Sequence, residues 1–125
     1  MALVMKDDNI ILHKTYAFAV RIIRLSQFLV KEKQAYQLAD QIRRSGTSIG
    51  SNAEEAIGGQ SRKDFISKCS IAYKEARETH YWLRLLRDTD YIDSQQAQSL
   101  LNDCEELLRI LTAIIRSSKA EDSQT

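Results

Sequence analysis

The sequence contains no proline and only four glycines, so it lacks the residues that normally punctuate the turns of an all-β protein. It also lacks any apolar run near the roughly 18 residues that would span a bilayer, because Arg21 and Arg24 interrupt its richest apolar stretch. The first eight residues have neither a charged start nor an apolar run long enough for a signal peptide. These absences favour a helical protein that stays in the cytoplasm.

The sequence also has little net charge. The 18 Lys and Arg side chains are balanced by 17 Asp and Glu, for a formal net charge of +1. The balance is uneven along the chain, because residues 1–90 are net positive and residues 91–125 are net negative. With 43% apolar and 28% charged residues, the 125-residue chain is neither disordered nor a membrane protein, and its length suits one domain with its own core.

Apolar periodicity predicts an all-α fold of four helices joined by short connections, which favours an antiparallel up-down four-helix bundle. We expect residues 1–9 to be a flexible lead-in, residues 10–119 the bundle domain and residues 120–125 a disordered tail. Gly58 and Gly59 are expected to end the second helix in the left-handed conformation, and Ser61 with Asp64 is expected to cap the third. The predicted helices are Ile10 to about Val30, about Ala35 to Ile57, Ser61 to about Thr89, and Asp93 or Ser94 to about Lys119.

The second predicted helix is unusual, because its helical apolar period runs through small residues that are poor helix formers. Gly46 and Gly50 lie four residues apart and therefore on one face, where they would let another helix approach closely. A helix of this composition persists only if its neighbours hold it. We therefore predict a central helix that is packed on at least two sides.

The first predicted helix carries two apolar stripes, whereas one core needs only one. One stripe consists of Tyr16, Val20, Ile23, Gln27 and Val30, and the other of Ile11, Phe18, Ile22, Leu25 and Leu29. The second stripe either is buried within the same bundle or contacts another subunit. The residues expected at such an oligomer interface are Phe18, Ile22, Leu25, Gly46, Gly50 and Trp82.

Three blocks carry a resemblance to a known family: QIRRSGTSIGSNAEEA from Gln41, QSRKDF from Gln60, and EARETHYWLRLL from Glu75. In order and spacing they resemble the small bacterial proteins named for reading frames in the intervening sequences of 23S ribosomal RNA genes. The resemblance extends from about Tyr16 to about Ile115. That family is also related to the accessory protein of diversity-generating retroelements, a basic pentameric bundle that binds nucleic acid and a reverse transcriptase. The resemblance implies a four-helix bundle in a ring-shaped homo-oligomer, a homopentamer, and little about activity.

The sequence has few residue patterns typical of catalytic or metal-binding sites. Neither histidine is preceded at the third position by glutamate, as a di-metal carboxylate bundle requires. Cys69, Cys104 and His80 lack the close spacing of zinc ligands, and both cysteines fall on apolar stripes where buried thiols are expected. Glu54 and Glu55 could be a catalytic or metal-binding pair, but adjacent residues point about 100° apart on a helix and would not converge on one ligand. We expect one of them in solvent and the other beside an arginine such as Arg43, Arg44 or Arg77, because a carboxylate near a core needs such a partner. We expect no enzyme, no cofactor and no metal site.

Clustered basic side chains suggest binding of RNA or DNA through phosphates. Acidic residues are interleaved with them, and the pairs Asp64–Lys68 and Arg84–Asp88 could neutralise part of the charge. The sequence therefore predicts a non-enzymatic oligomeric bundle that binds RNA or DNA through basic helix surfaces. The alternative is a structural scaffold that docks a protein partner without binding nucleic acid. The candidate phosphate-binding residues are Arg43, Arg44, Arg62, Lys63, Lys68, Lys74, Arg77 and Arg84.

Overall fold

The structure, a computed structural model, describes residues 6–123 and the side chains of residues 10–121. Four helices and no strand occur in this part of the chain, which confirms the all-α prediction. They are α1 (Lys6–Lys33), α2 (Tyr36–Ile57), α3 (Arg62–Asp88) and α4 (Ser94–Ser123). Helix α1 begins four residues before its predicted start, and α4 continues through most of the expected tail. Residues 1–5 of the expected lead-in and residues 124–125 lie outside the described residues.

Side chains cap the N-termini of α3 and α4. The Ser61 hydroxyl accepts a hydrogen bond from the Asp64 backbone N–H at 3.1 Å, as the sequence predicts for a capping box. The Asp93 carboxylate accepts from the Gln96 N–H at 2.7 Å, so Asp93 rather than Ser94 caps α4. These hydrogen bonds fix the first residues of α3 and α4, so each helix begins directly after a short turn.

The prediction of a left-handed glycine at the end of α2 is wrong. Gly58 has a φ of −82°, and no described glycine has a positive φ. The Gly58 N–H instead donates to the Glu54 carbonyl oxygen at 3.2 Å and continues the last turn. The left-handed residues are Gln34 and Asp90, with φ of 51° and 64°, and they lie in the turns after α1 and α3.

Gly59 lies in a tightly packed part of the turn between α2 and α3. A Cβ at this position would lie 2.5 Å from the Asp64 carboxylate oxygen Oδ2 and 3.1 Å from the Ala56 carbonyl oxygen. The turn between α2 and α3 brings the first turn of α3 back over the end of α2. A side chain at residue 59 would therefore require the Asp64 carboxylate to turn away and the Ala56 carbonyl oxygen to move by a few tenths of an ångström.

Each helix packs against two others, in the order α1–α2–α3–α4–α1, and the α4–α1 contact is the least extensive. The second half of α3 contacts the middle of α2, and the first half of α3 contacts the end of α2. Near the middle of α2, the Thr79 hydroxyl donates to the Ser45 hydroxyl at 3.0 Å. Near its end, Glu55 pairs with Lys68 of the first half of α3 at 3.0 Å. The side chains between the four helices form one core.

The close approach predicted for Gly46 and Gly50 is confirmed, and the neighbouring helix is α1. A Cβ on Gly46 would lie 2.7 Å from Cγ2 of Ile22, and a Cβ on Gly50 would lie 3.3 Å from Cβ of Thr15. With α3 on its other side, α2 is packed on two sides as expected. Both glycines are therefore buried inside the protomer, and the expectation that they meet another subunit is wrong.

The two stripes of α1 have the opposite roles to those expected. Phe18, Ile22 and Leu25 are 2%, 0% and 3% exposed in the protomer core, so the expectation that they face outward is wrong. The stripe with Tyr16 and Val20 faces outward instead, with exposures of 70% and 38%. Periodicity could not distinguish them, because both stripes satisfy the helical repeat. The stripe with Ile22 faces the core because Gly46 leaves a gap for its side chain. The other stripe faces water because Tyr16 and Gln27 carry polar atoms. Trp82 of α3 is half-buried.

Candidate nucleic-acid interface

Helix α3 separates a core face from an outward ridge. Its buried residues are Phe65, Cys69, Ala72, Ala76, Thr79, Leu83 and Leu86. At about 100° per residue, Lys63, Lys74 and Tyr81 lie directly opposite this face. Arg77 lies within roughly 50° of the same line and Arg84 within roughly 70°. All five side chains are exposed. We call these five residues the α3 ridge.

Glu75 and Glu78 of α3 lie to one side of the ridge, whereas Asp88 lies in line with it at the end of the helix and is paired with Arg87. Lys68, which pairs with α2, marks the α2 side, and Glu75 follows it by seven residues on the same side. Partial burial raises the pKa of Glu75, and the nearby Glu78 carboxylate raises it further. The Glu78 carboxylate accepts a hydrogen bond from the Trp82 indole N–H at 3.1 Å. The ridge and the side that faces α4 are therefore mainly cationic.

The structure divides the eight basic residues predicted to bind phosphate into two groups. Four are ion-paired: Arg43 and Arg44 share Asp40, Arg62 pairs with Glu121 at 2.7 Å, and Lys68 pairs with Glu55. The other four form no ion pair with any carboxylate of the described residues. They are Lys63, Lys74, Arg77 and Arg84, and all of them belong to the α3 ridge.

The predicted Asp64–Lys68 pair is wrong, because α2 supplies a closer carboxylate. The Lys68 ammonium donates to Glu55 at 3.0 Å, and this hydrogen bond raises the pKa of Lys68. The same contact corrects the expected partner of Glu55, which is this lysine and not an arginine. Glu54, the neighbouring residue, is exposed.

The predicted Arg84–Asp88 pair is also wrong. Asp88 pairs with the adjacent Arg87 at 2.7 Å, and this hydrogen bond lowers the pKa of Asp88. Arg84 is left to make other contacts. Arg84 acts on Asp88 only as a nearby charge, the smallest of the causes that lower the pKa of Asp88, and forms no ion pair with it.

Neutral partners hold the two ridge arginines in place. The Arg77 guanidinium donates to the Tyr73 hydroxyl at 3.4 Å, and the Arg84 Nε donates to His80 Nδ1 at 3.1 Å. The Arg84 guanidinium also lies 5.8 Å from the Tyr81 ring centroid, within the ~6 Å range of a cation–π contact. These contacts restrict the side chains without neutralising their charge.

His80 connects the ridge to α4. Its Nε2 lies 3.0 Å from a Glu105 carboxylate oxygen. Because Nδ1 accepts from Arg84, the proton of the neutral ring belongs on Nε2, from which it donates to Glu105. The Glu105 carboxylate is thus engaged by the histidine and does not form an ion pair with Arg84.

Two further cations on α4 were missed by the sequence prediction. Glu105 faces α3, and at about 100° per residue Arg109 and Arg116 lie within roughly 40° of it. Both are exposed and form no ion pair with a carboxylate that the structure describes. The seven-residue spacing of these arginines on a predicted helix was the signal that could have identified them. Together with the α3 ridge they form one mainly cationic face that also contains the Glu105 carboxylate, and we call it the α3–α4 face.

The two cysteines and His80 do not form a metal site. Both cysteines are buried thiols, and no three metal-ligating side chains of the described residues are placed to hold an ion. The Cys104 thiol donates to the Ala76 carbonyl oxygen at 3.3 Å. Burial, with smaller contributions from the Glu105 and Asp103 carboxylates, raises the pKa of Cys104 from 9.0 to about 12.

We expect native protein to react slowly with a thiol reagent and completely only after denaturation, because both thiols lie in the core. Labelling of Cys104 should stay slow at pH 9, since its raised pKa keeps the thiolate scarce. Mass spectrometry after timed labelling measures both rates. Rapid labelling of either cysteine in the native state would contradict this placement.

The described residues thus form a four-helix, all-α protein with a cationic face on α3 and α4. A family model described as 23S rRNA-intervening sequence protein matches residues 7–113. The chain belongs to this family, and the predicted resemblance is confirmed.

A solved structure supports the same assignment. It is the crystal structure of a protein with unknown function from the S23 ribosomal protein family of Bacteroides thetaiotaomicron VPI-5482. The two sequences are 50% identical, with a TM-score of 0.87 over 88% of this chain and 98% of that chain. No curated protein matches the chain. Neither the family nor this neighbour is described as having an enzymatic activity. Within residues 6–123, no helix is both long and apolar enough to cross a membrane.

Proposed function

We propose that this chain is a non-enzymatic protein that binds RNA or DNA through the α3–α4 face. The observation that carries the proposal is a set of exposed cations that share one side of the molecule and form no ion pair with a described carboxylate. Phosphate binding requires clustered Lys and Arg whose charge is not already neutralised. The set consists of Lys63, Lys74, Arg77, Arg84, Arg109 and Arg116.

The length of the ridge suits an extended polyanion. Lys63 and Arg84 are 21 residues apart, which corresponds to about 32 Å along the helix axis at about 1.5 Å per residue. Arg77 and Arg84 are held by neutral partners, so less conformational entropy is lost when they bind phosphate. Such binding releases counterions and therefore weakens as salt rises.

We further propose that the antiparallel bundle assembles into a ring-shaped homo-oligomer, five-membered by its family resemblance, and that it acts in the cytoplasm. The outward stripe of α1 supports self-association. Tyr16, Val20 and Val30 are exposed there, and Ala19 and Ile23 line a shallow groove between them. A ring would place several α3–α4 faces in one particle and raise the avidity for a long polyanion.

A scaffold that docks a protein partner is the second candidate. Exposed apolar surface on α3 favours it, since Ile71 is 38% exposed and Tyr81 is 49% exposed. On this view the cations of the α3–α4 face would only keep the protein soluble. The two candidates differ in whether oligonucleotides bind at all.

Electrophoretic shift assays with structured RNA and with duplex DNA, at low and physiological salt, test the proposal. The double variant Lys74→Gln/Arg77→Gln should weaken binding. It should also lower the slope of log affinity against log salt by about 1.4 to 1.8, because two phosphate contacts are lost. Lys31→Gln/Lys33→Gln removes the same charge from exposed positions at the end of α1 and should leave the slope unchanged.

No shift at low salt would refute nucleic-acid binding and favour the scaffold. Equal losses in the two double variants would show that binding depends on net charge and not on the α3–α4 face.

A further inference from the structure

Tyr81 is an exposed aromatic ring held in place within the cationic ridge. It is 49% exposed. Trp82 packs against it edge to face, with ring centroids 5.5 Å apart and an angle of 70° between the planes. The Trp82 indole N–H is itself fixed by its hydrogen bond to Glu78. The tyrosine ring is therefore oriented by its neighbours while about half of its surface stays in water.

Cations lie one helical turn to either side of this ring. Arg77 precedes Tyr81 by four residues and Arg84 follows it by three, which corresponds to about 6 Å and about 4.5 Å along the axis. Single-stranded nucleic acid is bound by this combination, in which cations contact the backbone and an aromatic ring stacks on a base. A base within a duplex cannot stack on Tyr81, because its neighbours in the helix cover both of its faces.

We infer that Tyr81 is a stacking platform for an unpaired base, so that the α3–α4 face takes single-stranded RNA or DNA in preference to duplex. The inference rests on the proposed nucleic-acid function and narrows its substrate class. The charge of the ridge selects the polyanion, and the ring selects a strand with accessible bases. Arg84 lies over the ring in the free protein, so a base that stacks on Tyr81 displaces its guanidinium, which then contacts the adjacent phosphate.

Three ligands of equal length separate these contributions: oligouridylate, an abasic strand with the same phosphates, and a hairpin duplex whose loop nucleotides are abasic. Wild-type protein should bind oligouridylate most tightly. Tyr81→Ala should weaken oligouridylate binding roughly 5- to 150-fold, as expected for the loss of one stacked base. The same variant should bind the abasic strand like wild type, with an unchanged salt slope. Arg84→Gln should instead lower the salt slope by about 0.7 on both single strands.

Two control variants isolate the ring. Tyr81→Phe keeps the aromatic face and should retain binding. Tyr36→Ala removes a tyrosine that is 62% exposed on α2 and should have no effect. Trp82 is the only tryptophan, so its fluorescence should change when oligouridylate binds and should not change with the abasic strand.

The inference is overturned if the abasic strand or the duplex binds as tightly as oligouridylate, or if Tyr81→Ala binds oligouridylate like wild type. In those cases nucleic-acid binding through the α3–α4 face still stands. If none of the three ligands binds at low salt, the proposed function is refuted together with the inference.

Discussion

Ile22→Glu is expected to unfold the protomer, whereas Val20→Glu, two residues earlier on α1, is expected to leave it helical. Ile22 is 0% exposed, and its branched side chain fills the gap that Gly46 leaves on α2. A carboxylate there would be buried without a partner, which costs several kcal/mol out of a typical total stability of roughly 5–15 kcal/mol. Val20 is 38% exposed, so a carboxylate at this position can reach water.

The same pair of variants tests assembly. If the outward stripe of α1 joins subunits, wild-type protein should sediment at several times the chain mass of 14.3 kDa at micromolar concentration. Val20→Glu should then form smaller species of unchanged helix content. Circular dichroism gives the helix content, and sedimentation equilibrium gives the mass. Gln37→Glu adds the same charge to an exposed site on α2 and should change neither.

Different outcomes would reject different parts of this account. A helical Ile22→Glu variant of reduced mass would show that Ile22 meets a partner subunit and not the protomer core. A wild-type monomer at high concentration would remove the ring and leave the four-helix fold intact.

Gly46→Leu should be among the most damaging substitutions in α2. A Cβ alone would lie 2.7 Å from Cγ2 and 2.8 Å from Cγ1 of Ile22, and these atoms cannot swing away because they branch directly from Cβ. Overpacking of this kind costs about 1–3 kcal/mol and occasionally more, which outweighs the roughly 1 kcal/mol gained when a helical glycine is replaced. Gly50→Leu should also destabilise the protein, since even its Cβ would lie 3.3 Å from Thr15.

Urea unfolding monitored by circular dichroism measures these changes. Gly58→Ala is the matched control, because its Cβ would lie 3.7 Å from the nearest neighbour, the Glu54 carbonyl oxygen, and its φ of −82° suits alanine. It should leave the free energy of unfolding unchanged or raise it by about 0.4–1 kcal/mol. A Gly46→Leu variant as stable as wild type would mean that α1 does not approach α2 at this point.

Much of the fold follows from local patterns in the sequence. The helical repeat predicted four helices, and the Ser61–Asp64 spacing predicted the cap of α3, because both depend on residues a few positions apart. The α3 ridge could be predicted from the sequence for the same reason. Lys63, Lys74 and Arg84 lie on one helix, so their common face follows from the period alone.

Other features depend on residues that are distant in the sequence. Glu55 of α2 and Glu121 of α4 neutralise Lys68 and Arg62, so only the packed structure shows which of the eight predicted cations keep their charge. The positions of the left-handed residues were also wrongly predicted. They are Gln34 and Asp90, whereas Gly59 has no positive φ and lies close to the Asp64 carboxylate.

The role of α1 was decided by tertiary structure alone. Both of its apolar stripes satisfy the helical period, so the sequence by itself determined that the helix has more apolar surface than one core requires. Gly46 and Gly50 on α2 leave gaps that match Ile22 and Thr15, and this fit turns one stripe inward. Tyr16 and Val20 are left in water, because packing depends on the shape of the facing helix and not on periodicity.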